Sequence, residues 1–424
     1  MKTLLHGGTV NLNGDLIQAD VLIEDQRIAA IGTELNAAGA TEYDVSGMLV
    51  TAGLVDLHVH LRDPGQTDKE TIASGSAAAA RGGFTTICAM PNVDPVPDNP
   101  QRIAHMLERD AAEGLVHIKQ YASITHKRAA GAVVDFAGVK AAGAIAVSND
   151  GNGIQSADTM LQALQGAKAA GLPLAEHVEE DTLKHGGVIS AGAKADELGV
   201  PGLIPAVETS QLARDLALAQ AADAPYHVCH VSTATSLDMI RQAQKAGVKV
   251  TAEATPHHLL LSDDMIPGDD ANYKMNPPLR TRRDCDALLD GLLDGTVACI
   301  ATDHAPHTDT EKAQGLCGAP NGITGSETAF ASLYTFLVKT HKCTLTQLLN
   351  WLSAAPATLF NLNAGKLLPG ELADIAVFDL ENGHVITADE FASKGHNTPF
   401  IGQTLYGNTV YTFVSGQLIY GQHN

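Results

Sequence analysis

Aromatic residues are scarce in this chain, at 4% of 424 residues with a single tryptophan. Charge is also scarce, at 18%, and lopsided: Lys+Arg 27 against Asp+Glu 48 leaves a formal net charge of −21. A surface that negative repels phosphate backbones and anionic lipid headgroups, which argues against nucleic-acid and membrane-surface functions. A small anionic substrate stays open, because a local metal or arginine reverses the field inside a pocket. The six cysteines (Cys88, Cys229, Cys285, Cys299, Cys317, Cys343) show no C-x-x-C spacing. They read as scattered core thiols of a reducing cytosol, not a disulfide frame. No run approaches the ~20 apolar residues needed to span a bilayer. The start, MKTLLHGGTVNLNGD, reaches glycine and polar residues too soon for a signal peptide. A soluble, cytoplasmic protein is expected. Low-complexity segments and internal repeats are missing, as is any G-x-G-x-x-G after an early strand, which counts against a doubly wound open sheet.

What is present is a 45% hydrophobic composition, ample for a globular core. The length suits a barrel-sized domain of roughly 250–300 residues with a smaller satellite. Short strands separated by turn pairs are predicted at both ends: Thr3–His6, Gly8–Leu12, Leu16–Ile23 and Arg27–Gly32, then Ala373–Asp379, Thr404–Tyr406, Val410–Val414 and Gln417–Tyr420. Neither set alone makes a stable unit, so the two ends are expected to pair. Between them, short apolar runs alternate with helical stretches. The runs are Leu49–His58, Thr85–Met90, His117–Ser123, Ala144–Ser148, Pro173–His177, Tyr226–His230, Lys249–Glu253 and Val297–Thr302. The helices include Asp68–Arg81, opened by a Thr67/Glu70 capping box, and Ser326–Lys339. The pattern is α/β: a TIM-type (β/α)8 barrel over residues 51–365, with residues 1–50 and 366–424 forming a small β-sandwich domain.

Functional groups of a parallel barrel gather at the carboxyl ends of its strands. His58 and His60 end the first strand and, two apart, project to one face, able to share a metal. His177 and His230 each end a strand and could supply a second metal; either alone also fits a hydrogen-bonded core histidine. Asp150 and Asp303 suit hard-oxygen roles, one between two cations and one accepting a proton from bound water. Asn149-Asp150-Gly151 is equally a plain turn sequence. Two divalent cations outweigh two carboxylates and a hydroxide by one charge, a centre that favours an anionic substrate. Arg62, two residues past His60, has a guanidinium fork shaped for a carboxylate and would reach over the mouth, with a surface arginine in a Pro-Gly turn as the lesser alternative. Asn92 and Asn276 are possible amide contacts, with turn chemistry as their alternative. His257 and His258 read as loop or structural residues, and Cys229 as packing. Asp309–Ala319 is the expected mobile lid.

The segment Gly53-Leu54-Val55-Asp56-Leu57-His58-Val59-His60-Leu61-Arg62-Asp63-Pro64-Gly65 resembles the first signature of dihydroorotases. Ala301-Thr302-Asp303-His304-Ala305-Pro306-His307, with Lys312 beyond it, resembles the second. The resemblance spans essentially the whole chain and points to the class I branch within the amidohydrolase superfamily. It implies His58 and His60 on one zinc, His177 and His230 on another, Asp150 and a hydroxide between the two, and Asp303 as both zinc ligand and catalytic acid–base. It further implies substrate contacts from Arg62, Asn92, Asn276 and His307 and from the Asn321-Gly322 backbone. The implied reaction is the reversible closure of N-carbamoyl-L-aspartate to (S)-dihydroorotate and water in pyrimidine synthesis. A homodimer and association with aspartate transcarbamoylase are implied as assemblies. Two departures stand out: Ser148-Asn149-Asp150-Gly151 replaces the usual Ser-Asp-Asp-Gly, and Asn321 stands where an aromatic residue is usual. The rival readings are a hydantoinase or allantoinase, whose substrates lack the carboxylate that Arg62 would grip, and a non-catalytic structural partner of aspartate transcarbamoylase. Such relatives of the first kind use a bridging carboxylated lysine, and Ala144–Asp150 contains no lysine.

Overall fold

The computed structural model describes residues 2–421. Strands from the two chain ends form one mixed eight-stranded sheet. Lys2–Leu12, Asp15–Glu24 and Arg27–Gly32 run as an antiparallel meander. Leu49–Ala52 then connects Lys2–Leu12 to Ile375–Asp379, beyond which lie Asn408–Val414 and Gln417–Gly421. Lys2–Leu12 carries two parallel partners along one edge: its first half pairs with Thr41–Asp44 and its second with Leu49–Val50. The changeover coincides with a register shift between Leu5 and Gly8. A Cβ on Gly8 would lie 2.7 Å from Val50 Cγ2, so only glycine lets the strands approach there. Leu5, Val21, Ile28, Val50, Ile375, Val377 and Phe413 form a core belonging to this sheet alone.

The run Leu49–His58 is divided between the two units rather than forming one barrel strand. Thr51 pairs with Ala376 in the end sheet, while Leu54–Val59 pairs in parallel with Phe84–Ala89. The break falls at Gly53, whose N–H donates to Asp374 O at 2.8 Å and whose carbonyl accepts from Ser353 Oγ at 2.9 Å. Leu54–Val59, Phe84–Ala89, His117–Ala122 and Ala146–Val147 make one parallel four-stranded sheet; Ala175–Glu176, Tyr226–Val228, Val250–Ala254 and Cys299–Ile300 make another. Single parallel bridges join them at both margins, Val147 to Leu174 and Val59 to His304.

Helices Pro100–Glu113, Ala157–Ala170, Ala206–Ala222 and Ala234–Lys245 alternate with these strands along the chain. The first helix differs. It covers Ile72–Arg81, and its capping box joins Thr71 to Ser74, not Thr67 to Glu70. The Glu70 carboxylate is fully buried and bonded to Ser74 Oγ and Ser393 Oγ, with His304 Nε2 3.4 Å away. A tertiary claim on Glu70 thus moved the helix start by a turn. Ser326–Lys339 is broken as well, into Ala329–Leu333 and a wider π turn over Tyr334–Val338. All six cysteines are free thiols. Among the described residues, no helix is long and apolar enough to cross a membrane.

Candidate functional site

The parallel strands end on one face in His58 and His60, Ser148 to Asp150, His177, His230 and Asp303, and these side chains converge. All are buried. Asp150 lies at the centre: its Oδ1 is 3.3 Å from His58 Nε2, 3.5 Å from His230 Nε2 and 3.9 Å from His177 Nδ1, and its Oδ2 is 3.5 Å from His60 Nε2. Asp303 Oδ1 stands 2.8 Å from His60 Nε2 and 3.5 Å from His58 Nε2. Three groupings have ligand-type atoms close enough to share a cation: His58, His60 and Asp303; His58, Asp150 and His230; and His58, Cys229 and Glu253. Arg62, His230 and Asp303 hold left-handed backbone, with φ of 58°, 33° and 49°. Such conformations cost non-glycine residues energy and persist where surrounding contacts impose them.

Partners on the outer side of the imidazoles settle which nitrogen faces inward. His58 Nδ1 donates to Glu253 Oε1 at 2.8 Å, His60 Nδ1 to Asn92 Oδ1 at 2.8 Å, and His177 Nε2 to Glu179 Oε2 at 3.3 Å. Each ring therefore presents its other nitrogen to Asp150 or Asp303. Buried His58 Nε2 and Asp150 Oδ1 face each other with no hydrogen bond to satisfy either among the described residues. A lone pair opposite a carboxylate oxygen is an arrangement that a divalent cation resolves, so the donor set fits a metal.

The electrostatics show a site that draws positive charge toward its two carboxylates. Burial alone would raise the Asp150 carboxyl, but the His58 charge, with the His230 and His58 ring nitrogens close by, outweighs it and holds the group well below the usual carboxylate range. Asp303 is lowered in the same way: burial opposes, and the His58 charge and His60 prevail. His58 moves the other way, because Asp150 and Asp303 overcome its burial. For His60 burial wins and its pKa falls, favouring the neutral ring that a metal requires.

At the rim, Arg62 is buried, donates through Nε to Pro306 O at 3.3 Å, and has an Nη2 3.3 Å from His307 Nε2. His307 Nε2 donates to Asn321 O at 2.8 Å. Burial, then the charge of Arg62, push the His307 pKa down to about 3, so a neutral imidazole lies beside a permanent cation. Asn276 Nδ2 donates to Glu179 Oε1 at 2.8 Å. Both asparagines are thus committed to histidines of the cage or to their outer partners. The Asn321-Gly322 backbone is engaged too: Gly322 N donates to Lys274 O at 3.0 Å, and Gly322 O accepts from Asn397 at 2.9 Å. Asn149 points away from the cage, accepting from Ile124 N and Thr125 N and donating to Thr125 Oγ1 at 2.7 Å. Its amide serves the neighbouring loop, which makes the departure from aspartate there mild.

Sequence reasoning missed Glu253, Glu179 and Glu70. Glu253 closes a correctly expected strand, and Glu179 follows His177 by two; a rule that every inward histidine needs an outer acceptor would have singled out both. His257 and His258 lie in the short helix Pro256–Leu260, where Thr255 caps and His258 Nε2 donates to Pro277 O at 2.9 Å, so the structural reading of His258 holds. Asp309–Ala319 is tied down at several points. Lys312 Nζ donates to Lys274 O at 3.2 Å and Pro320 O at 3.1 Å, and Leu316 N to Asp269 Oδ1 at 2.6 Å.

A family model described as Dihydro-orotase-like matches residues 47–236. The chain is 55% identical over 426 residues to a dihydroorotase of Lactiplantibacillus plantarum, covering 100% of this chain and 99% of that one. To a dihydroorotase of Lactobacillus acidophilus it is 54% identical over 422 residues, 99% of each chain. Among solved structures, a dihydropyrimidinase from Brevibacillus agri superposes with a TM-score of 0.87 at 25% identity, covering 99% of this chain and 95% of that one. An L-hydantoinase from Arthrobacter aurescens gives 0.86 at 24% identity over 100% and 96%, a likeness of fold. Full-length identity at this level, over a buried cage of histidines and carboxylates, leaves one conclusion: the chain belongs to the dihydroorotase family.

Proposed function

We propose that this chain catalyses the reversible closure of N-carbamoyl-L-aspartate to (S)-dihydroorotate and water, with two zinc ions held by His58, His60, His177, His230, Asp150 and Asp303. The observation that carries this reading is Asp150, ionised and buried among four histidines with Asp303 beside it. His58 and His60 would hold one ion and His177 and His230 the other, with Asp150 between. When bound, such a pair polarises the ring amide carbonyl and lowers the pKa of water toward neutrality. Asp303, kept ionised, accepts the proton of the attacking water and returns it to the leaving ring nitrogen. Arg62 and the neutral His307 receive the exocyclic carboxylate, which orients the reacting carbonyl. Asn92 and Asn276 serve this arrangement by fixing the imidazoles as well as by facing substrate.

The scaffold we propose is a closed eight-stranded (β/α)8 barrel within residues 51–365, its first strand beginning after Gly53, beside a β-sandwich of residues 1–50 and 366–424 to which Thr51 and Ala52 also pair. The bridges from Val147 to Leu174 and from Val59 to His304 support closure. A cytoplasmic homodimer able to associate with aspartate transcarbamoylase extends the same reading, and light scattering with and without that enzyme tests it. The functional test compares dihydroorotate with hydantoin and allantoin. Turnover confined to dihydroorotate is expected, and Arg62→Lys should raise its KM because an ammonium cannot reproduce the fork. Preference for hydantoin, or an unchanged KM in that variant, would refute the carboxylate contact.

A further inference from the structure

Glu253 joins parts of the cage that are far apart in sequence. It is the penultimate residue of the strand Val250–Ala254 and is wholly buried. Its Oε1 accepts from His58 Nδ1 at 2.8 Å and from the His230 backbone N–H at 3.3 Å; its Oε2 accepts from His227 Nε2 at 3.1 Å. Thr251 Oγ1 lies 2.9 Å from His227 Nδ1, which fixes the His227 ring in turn. One carboxylate therefore orients the ring of His58 and anchors the backbone of His230 at the point where its φ is 33°. These are residues assigned above to opposite ions.

We infer that Glu253 is the positioning residue that couples the two metal positions, locking the His58 tautomer with Nε2 inward and holding the His230 backbone in its left-handed turn. The inference rests on the zinc reading above. A histidine ligand held by a carboxylate at its outer nitrogen is oriented before the ion arrives and is more basic toward it. Here the second contact extends that pre-organisation to another strand. Without it, the His58 ring could rotate or exchange tautomers, and the His230 backbone could relax to ordinary dihedrals. Both motions would withdraw ligand atoms from Asp150.

The test is zinc affinity of the full-length protein, read by competition with chelators of graded strength. Glu253→Gln is expected to weaken zinc binding about 10- to 100-fold. Glu253→Asp, too short to keep the 2.8 Å contact while retaining the charge, should weaken it also and serves if the glutamine variant fails to fold. Asp215→Asn is the control. Asp215 is a buried carboxylate bonded to Tyr226 and Gln211, outside the cage, and its loss should lower Tm and leave zinc affinity unchanged. Zinc affinities of both Glu253 variants equal to that of the unaltered protein would overturn the inference while leaving the metal site standing. Failure of the unaltered protein to bind zinc would overturn the metal reading and this inference together.

Discussion

At the scale of single residues, one carboxylate and one lysine invite direct tests. Asp303 faces two imidazoles and sits on a strained backbone, so Asp303→Asn keeps shape and removes the proton acceptor. The kcat for dihydroorotate should fall about 10²- to 10⁴-fold, with substrate binding still measurable by calorimetry. A near-normal kcat would remove Asp303 from its role. Lys312 is instructive for another reason. Burial first, then the nearby charge of Lys274, push its ammonium down to about 7. Below that pH it is charged in the folded chain; between about 7 and the ordinary lysine value near 10.4 the folded chain binds fewer protons than the unfolded one. Stability must then rise with pH across that window, by at most about 1.4 kcal/mol per pH unit from this group. Urea titrations from neutral to alkaline pH should show that slope, and Lys312→Met should lack it.

At the scale of elements, the end sheet depends on strands contributed by both termini. Phe413, on Asn408–Val414, is 1% exposed and packs edge-on to Tyr43 at 5.5 Å between centroids. Phe413→Ala should cost about 3–5 kcal/mol, seen as a lower denaturation midpoint with an unchanged KM, because the site lies on other strands. A changed KM with unchanged stability would mean that this sheet reaches the cage. The first helix gives the element-level lesson about sequence. Thr67 and Glu70 have capping-box spacing, as do Thr71 and Ser74 in effect, and local chemistry does not choose between them. Ser393 and His304 chose, by taking the Glu70 carboxylate. Likewise Leu49–His58 is a continuous apolar run whose division at Gly53 is visible only when Asp374 and Ser353 arrive from the far end of the chain.

For the whole molecule, metal and fold are linked. The proposed ligands come from five parallel strands or their ends, so an ion bound there ties those strands together and binds only the folded chain. Stripping zinc with a chelator should lower Tm, and graded zinc should restore it by RT ln(1 + [Zn]/Kd), about 4 kcal/mol at a thousandfold excess over Kd. A Tm indifferent to zinc would contradict a cage built across the sheet.

Residue types and local periodicity were enough to determine the alternation of short strands and helices, the strand-end placement of His58, His60, Asp150, His177, His230 and Asp303, and the pairing of the two termini. Those properties are set by neighbours within a few residues or by the need to bury apolar faces. Tertiary structure alone decided which nitrogen of each imidazole faces inward, that Asn92 braces His60, and that Glu253, 195 residues from His58, holds it. Hydrogen bonds between side chains so distant in sequence leave no periodic trace along the chain, and they exist only once the strands that carry them lie side by side.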